Sequence, residues 1–275
     1  MSALLRKLQQ QKADEKPVEK KAHVHRPMIV GNKGMIHSTA EILDDVRKCI
    51  PHAKKDVKIT QEDFKEMKEI ASDMHCDTVA LFETKHHLEP YLWLADAVNG
   101  PTVCFFMEEG KSIYDLGLVG NPMKGSRPLL FFDPAFDKTN VLKLSRNLLQ
   151  RLFEVPFNDK HSKPFVDRTM SFFIEDNKII IRHYQIQWDT DPTRLVEVGP
   201  RITLVPIFIL ADVFRGHKIW KNATWESPLA QRRDERKQNA LAKQRNRDRD
   251  YENEVRLGKI EKPVDPHAGL FAPVE

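Results

Sequence analysis

Cysteine is scarce in this chain. Cys49, Cys76 and Cys104 are the only three in 275 residues. They are odd in number, far apart and form no C-x-x-C pair, which argues against a disulfide framework and a structural zinc site and for a reducing compartment. His75-Cys76 and His86-His87 have no partner pair at ligand spacing, so no metal and no cofactor is expected. Long apolar runs are missing as well. Leu4, Leu5 and Leu8 lie among charges, and no stretch reaches the length of a signal core or a membrane span. A soluble, non-secreted protein without a membrane partner is the expectation. Charge of one sign is also lacking, because 44 Lys and Arg against 40 Asp and Glu leave only +4. Finally, there is no G-x-G-x-x-G, G-x-x-x-x-G-K-[ST], H-E-x-x-H or G-x-S-x-G, so no catalytic residue is nominated.

The chain is long enough, at 40% hydrophobic residues, to bury a substantial core. Its distribution of charge says more than its sum. Residues 1–25 read as a polar extension, and up to Arg26 seven Lys and Arg face three acids. Pro27-Met28-Ile29-Val30 reads as a short strand. Ser38 with Glu41 suggests a capping box, ahead of a helix buried through Ile42, Leu43, Val46 and Ile50 and stopped at Pro51. A second helix is expected after Thr60, a strand over Thr78–Phe82, a helix over Pro90–Ala97 carrying Tyr91, Trp93 and Leu94, and a strand over Pro101–Met107. Arg127-Pro128-Leu129-Leu130-Phe131-Phe132 then echoes Arg26-Pro27-Met28-Ile29-Val30 about one hundred residues on, again followed by a helix, Val141–Phe153. The echo suggests a duplicated unit.

Past Pro156 the apolar period changes to two. Met170, Phe172 and Ile174 lead to a tight turn at Asp176-Asn177, a return strand Lys178–Trp188, and further strands over Leu195–Val198 and Ile202–Leu210. Pro206 implies an edge or a bulge. Ser227-Pro228 starts a helix that is polar on every face and reads as solvated or as ordered on a partner. The end of the chain, from Glu261, is Pro-rich and aperiodic.

The candidate chemistry is cationic. Lys124 and Arg127 flank Gly125-Ser126, where backbone N–H groups are expected to be open to an anion. On the strand Lys178–Trp188 the face carrying Ile179, Ile181, His183, Gln185 and Gln187 turns polar halfway, as if it meets solvent or RNA; Arg182 lies on the other face. Arg201 follows Gly199-Pro200 and suits either a phosphate or an ion pair with Glu197. The RNA-binding candidates are therefore Lys124, Arg127, Arg182, His183 and Arg201, with Lys160, His161 and Lys163 as a further basic patch. Trp93, Trp188, Trp220 and Trp225 are either stacking platforms or core residues. Asp133, Asp137, Asp167 and Asp176 read as turn and loop carboxylates rather than metal ligands.

Five motifs in order resemble the Brix family: Asn99-Gly100-Pro101-Thr102, Lys124-Gly125-Ser126-Arg127-Pro128, Lys163-Pro164-Phe165-Val166-Asp167, Tyr184-Gln185-Ile186 and Val198-Gly199-Pro200-Arg201. The resemblance covers about Arg26 to Pro228, although 215–220 departs from the family pattern. It implies an α/β (α+β) fold of two pseudo-repeated halves, 26–125 and 126–228, each a small sheet with helices resembling an anticodon-binding domain. Tails at 1–25 and 229–275 flank them. It also implies a nucleolar, non-enzymatic factor of large (60S) ribosomal subunit assembly. Its partners would be pre-rRNA and other pre-60S assembly factors, including a helical one, with no small-molecule substrate. The alternative is a protein-interaction adaptor with little direct RNA binding.

Overall fold

A computed structural model of the protein describes residues 25–54, 58–59, 64, 66–156, 160–188 and 192–260. The readings made for 1–24, for the start of the helix after Thr60 and for 261–275 lie outside these. The chain separates into two compact units, Met1–Asn222 and Ala223–Glu275.

Strand β1 (Pro27–Asn32) leads into helix α1 (His37–Cys49), a short strand β2 (Lys58–Ile59) and helix α2 (Met67–Asp73). Strands β3 (Thr78–Lys85), β4 (Glu89–Asp96) and β5 (Thr102–Lys111) follow, then the single turn α3 (Ile113–Leu116). The second half contains β6 (Pro128–Phe132), α4 (Asn140–Phe153), β7 (Arg168–Glu175), β8 (Lys178–Gln187), β9 (Arg194–Glu197), β10 (Arg201–Leu210) and β11 (Lys218–Lys221). These strands make one eleven-stranded sheet in the order β2-β1-β3-β4-β5-β10-β8-β7-β6, with β9 on β8 and β11 on β10.

The duplication read from the Arg-Pro echo is visible in this order. In each half the opening strand pairs parallel to the strand after its helix, β1 with β3 and β6 with β7. Two antiparallel neighbours follow, β4 and β5 in the first half, β8 and β10 in the second. The closing strands β5 and β10 then pair antiparallel and join the halves at the sheet centre. One core serves both, since Ile42, Leu43 and Val46 of α1 and Leu142, Leu148 and Leu152 of α4 belong to a single buried cluster with the sheet. Helices also reach across. Arg151 of α4 pairs with Asp96 of β4, and Cys49 at the end of α1 lies beside His183 of β8.

Two local readings need correction, and a third is decided between its alternatives. Residues Glu89–Asp96 form a strand, not a helix: Tyr91 and Trp93 face an aromatic group with Phe64, Phe106, Phe208 and Phe214, while Leu92 and Leu94 enter the core. A strand buried on both faces shows no polar alternation, so its apolar run mimics a buried helix. Helix α1 starts at His37 with Ile36 as its cap residue and no side-chain cap bond, so Ser38 lies inside the helix. The capping box of this half is instead Ser112 with Asp115, at α3. Pro206 lies in the central strand β10, where the register with β5 shifts between Pro206 and Phe208; of the two alternatives the bulge is the observed one.

Candidate nucleic-acid interface

The five nominated residues fall into two places. Lys124 and Arg127 belong to the loop before β6. The Lys163 N–H donates to the Gly125 carbonyl at 2.8 Å, and the Arg127 N–H to the Phe165 carbonyl at 2.9 Å. Thus the loops 121–127 and 160–167, forty residues apart in sequence, are tied side by side. Asp167 adds a bond from the Met123 N–H at 2.5 Å, and Gln185 bonds both the N–H and the carbonyl of Asn121, at 2.8 and 3.3 Å. Gly125 takes φ +84°, the left-handed region that favours glycine. The Ser126 N–H donates to the Met123 carbonyl. The N–H groups of Ser126 and Arg127 are therefore spent on the chain itself and not open to an anion, which corrects that part of the expectation.

What the tied loops do present is side chains. Lys124, Lys160, His161 and Lys163 are exposed, as are Phe165 (56%) and Trp188 (60%). The indole N–H of Trp188 donates to the Val166 carbonyl at 3.1 Å, which fixes the ring at this end of the sheet. Arg194, exposed on β9, pairs in register with Gln187, next to Trp188. Cations and two aromatic faces thus share one edge of the second half. Of the other Trp residues, Trp93 is buried and Trp220 packs on the core.

Arg182, His183 and Arg201 occupy the sheet centre. His183 is 2% exposed, so its ring does not reach a ligand at the surface, contrary to its nomination. Its Nδ1 lies 2.7 Å from the Gly199 carbonyl, to which it donates, and 3.9 Å from Cys49 Sγ. Gln185, expected on the same polar face, bonds the chain's own Asn121 loop. Arg201 donates twice to Glu197, both at 2.6 Å, which is the ion-pair alternative. That guanidinium, with Arg182 nearby, holds the Glu197 carboxyl below its ordinary value although burial opposes it. Arg182 is half-buried and donates to the Ile181 carbonyl at 3.1 Å.

One residue escaped the sequence reading. Arg168, 4% exposed, opens β7 and donates through Nε and Nη2 to the Ser126 carbonyl and through Nη2 to the Cys49 carbonyl at 3.1 Å. Cys49 ends α1, where the last carbonyls lack helical partners and carry the negative end of the dipole. A buried cation therefore fastens the first half's helix to the second half's loop. Burial would push the Cys49 thiol up, but the His183 ring and the Arg168 guanidinium bring it below its ordinary value.

Among the described residues, no group of three or more His, Cys, Asp and Glu is placed to hold a metal ion. Asp133 caps a 3-10 turn through the Ala135 N–H, and Asp137 pairs with Arg146. No helix of the described residues is long and apolar enough to cross a membrane.

The geometry defines a mixed α/β protein of two like halves sharing one sheet and one core, with a cationic, aromatic edge on the second half. The Brix domain matches residues 32–208, and the chain belongs to that family. It is 34% identical over 245 residues to Ribosome biogenesis protein BRX1 of Saccharomyces cerevisiae, covering 83% of this chain and 84% of that one. Against the Schizosaccharomyces pombe protein of that name identity is 35% over 250 residues, with 89% and 85% covered. The human homolog is 35% identical over 209 residues, with 76% and 59% covered. A solved structure of a probable ribosomal biogenesis protein from Aeropyrum pernix superimposes with a TM-score of 0.46 at 10% identity, over 66% of this chain and 96% of that one.

Proposed function

We propose that this ribosome biogenesis factor binds pre-rRNA and other assembly factors in the nucleolus, where it supports assembly and rRNA maturation of the large (60S) subunit without catalysing a reaction. The supporting observation is the juxtaposition of Lys124, Lys160 and Lys163 with Phe165 and Trp188 on the tied loops 121–127 and 160–167. Phosphates meet point charges there, and unpaired bases meet exposed rings, the combination that single-stranded RNA requires. Arg127 backs this edge, whereas Arg182 and Arg201 contribute through the central sheet. Residues 26–228 form the binding body, with halves at about 26–125 and 126–228.

The test is crosslinking of the tagged protein in cells with sequencing of the attached RNA. The expected result is crosslinks concentrated in large-subunit pre-rRNA, with crosslinked peptides from 121–127, 160–167 or 188. Scattered crosslinks from a protein that still sediments with pre-large-subunit particles would overturn direct RNA binding. They would favour the second reading, an adaptor held by protein contacts. That reading is supported by Leu129 and Phe131, 49% and 50% exposed on the edge strand β6.

A further inference from the structure

The second unit holds a long helix, α5 (Pro228–Arg256), started by Ser227, whose Oγ accepts from the Ala230 N–H at 3.2 Å, with Pro228 in the first turn. No residue of it is buried. As a sequence it reads as polar all round; as a helix it is sided. At about 100° per residue, Arg232, Arg233, Arg236, Lys237, Lys243 and Arg247 fall within an arc of about 140°. The two acids of the same stretch, Asp234 and Glu235, lie outside that arc. Arg245, Arg249 and Arg256 point to the opposite side. From Arg232 to Arg247 the stripe runs about 22 Å. Beyond it Asp250 and Glu254 return to the stripe line and end it.

We propose that this stripe is a second RNA site that grips the phosphate backbone of a double-stranded segment. The inference rests on the RNA-binding reading and gives α5 its own substrate class. Like charges stand one turn apart at Arg232 and Arg236 and at Lys243 and Arg247, an arrangement that weakens an isolated helix, while Lys237 reaches Asp234 at 3.6 Å. A polyanion lying along the stripe removes that repulsion. A helical protein partner fits poorly, because Leu229 and Leu241, twelve residues apart, give no apolar seam. Single-stranded RNA fits poorly too, because no aromatic side chain stands between Pro228 and Asp250 to stack a base. What remains is charge-to-phosphate contact, which reads shape rather than sequence.

The experiment compares two triple variants of the full chain that remove equal charge: Arg233→Gln, Arg236→Gln and Lys243→Gln on the stripe, and Arg245→Gln, Arg249→Gln and Arg256→Gln opposite it. Binding to a 20-base-pair RNA duplex is titrated from 50 to 200 mM salt, with a single-stranded RNA of equal charge and polyglutamate as the other probes. At about 0.9 counterions per phosphate, the stripe triple should lower the slope of log Kd against log salt by about 2.7, while the opposite triple leaves it within ~0.5. Lys at all three stripe positions should restore the slope, and circular dichroism checks that the helix persists. Equal losses from both triples, a larger loss on the single strand than on the duplex, or equal binding of polyglutamate would each overturn the proposal. If the stripe triple is silent while Lys124→Gln and Lys163→Gln weaken binding, the stripe falls and the RNA reading stands. If the unmodified chain binds no RNA, the RNA reading falls and takes the stripe with it.

Discussion

Arg168→Met removes the cation that fastens the two halves while keeping a long, flexible side chain of comparable bulk. Two buried carbonyls, of Ser126 and Cys49, lose their donor. Each costs about 1–3 kcal/mol when left unsatisfied, so the loss is about 2–6 kcal/mol. Opposing it is relief of the desolvation of a guanidinium that is 4% exposed. That relief is several kcal/mol for a bare ion, but here three hydrogen bonds and the negative end of α1 already compensate the charge, so the lost bonds should dominate. Urea unfolding at 25 °C, followed by tryptophan fluorescence, measures the difference. The expected midpoint falls while the slope m stays constant, and calorimetry should show a fall of at least ~4 °C. Arg168→Lys, which keeps the charge but lacks the fork needed to reach both carbonyls, should fall between Met and wild type. A Met variant within ~1 kcal/mol of wild type, or more stable than it, would refute the reasoning and show that the buried charge is a net burden.

Three further outcomes are expected. Trp188→Ala should leave the unfolding midpoint nearly unchanged and weaken binding of single-stranded RNA by about 1–3 kcal/mol, read by fluorescence anisotropy; unchanged affinity would remove the ring from the interface. Glu197→Gln tests the pair with Arg201. Since the folded carboxyl lies below its ordinary value of 4.5, the pair contributes fully above that pH and is lost as pH falls through the folded value. The Tm gap between wild type and variant should therefore be constant from pH 8 to about 5.5 and shrink below about 4.5; a gap independent of pH would contradict the assignment. Expressed separately, 26–125 and 126–228 should each lack a cooperative transition, because α1 and α4 share one core, and a sharp transition in either would show that the halves fold alone.

Much of the architecture was legible because local chemistry and tertiary role agree. Asp176-Asn177 reads as a tight turn and takes φ of 48° and 60°, as a hairpin with both central residues left-handed demands. The apolar stripe of 141–153 does face the core, through Leu148 and Leu152, with Val141 and Leu144 at its rim. The misreadings of β4 and His183 and the omission of Arg168 share a cause, in that each depended on what lies opposite. Strand β4 has apolar neighbours on both faces, so no period betrays it. His183 continues an alternation that sequence cannot terminate; only the approach of Cys49, 134 residues earlier, shows that its position is still inside. Arg168 drew no reading, and its role shows only where α1 ends against it. The cationic edge exists only because backbone bonds hold 163 to 125 and 127 to 165.

This separates two kinds of residue that the same motifs had put together. The Gly- and Pro-flanked signatures at the sheet centre are sutures. Gly199 has φ +89°, a Cβ there would meet Leu116 at 2.7 Å, its carbonyl holds His183, and Arg201 is committed to Glu197. Substitution at His183, Gly199 or Arg201 therefore acts on folding first, and a loss of RNA binding there would not identify a contact. Lys124, Lys163 and Trp188 carry exposed side chains, and Lys163 ties its loop through its backbone N–H rather than its ammonium, so loss of binding without loss of stability is diagnostic at these positions. On the proposed reading, a mutational map that scores binding alone would rank the sutures highest and misplace the interface. Setting each affinity change against the accompanying change in unfolding midpoint should move the ranking to the loops 121–127 and 160–167, and a ranking that stays on the sheet centre would contradict the proposed interface.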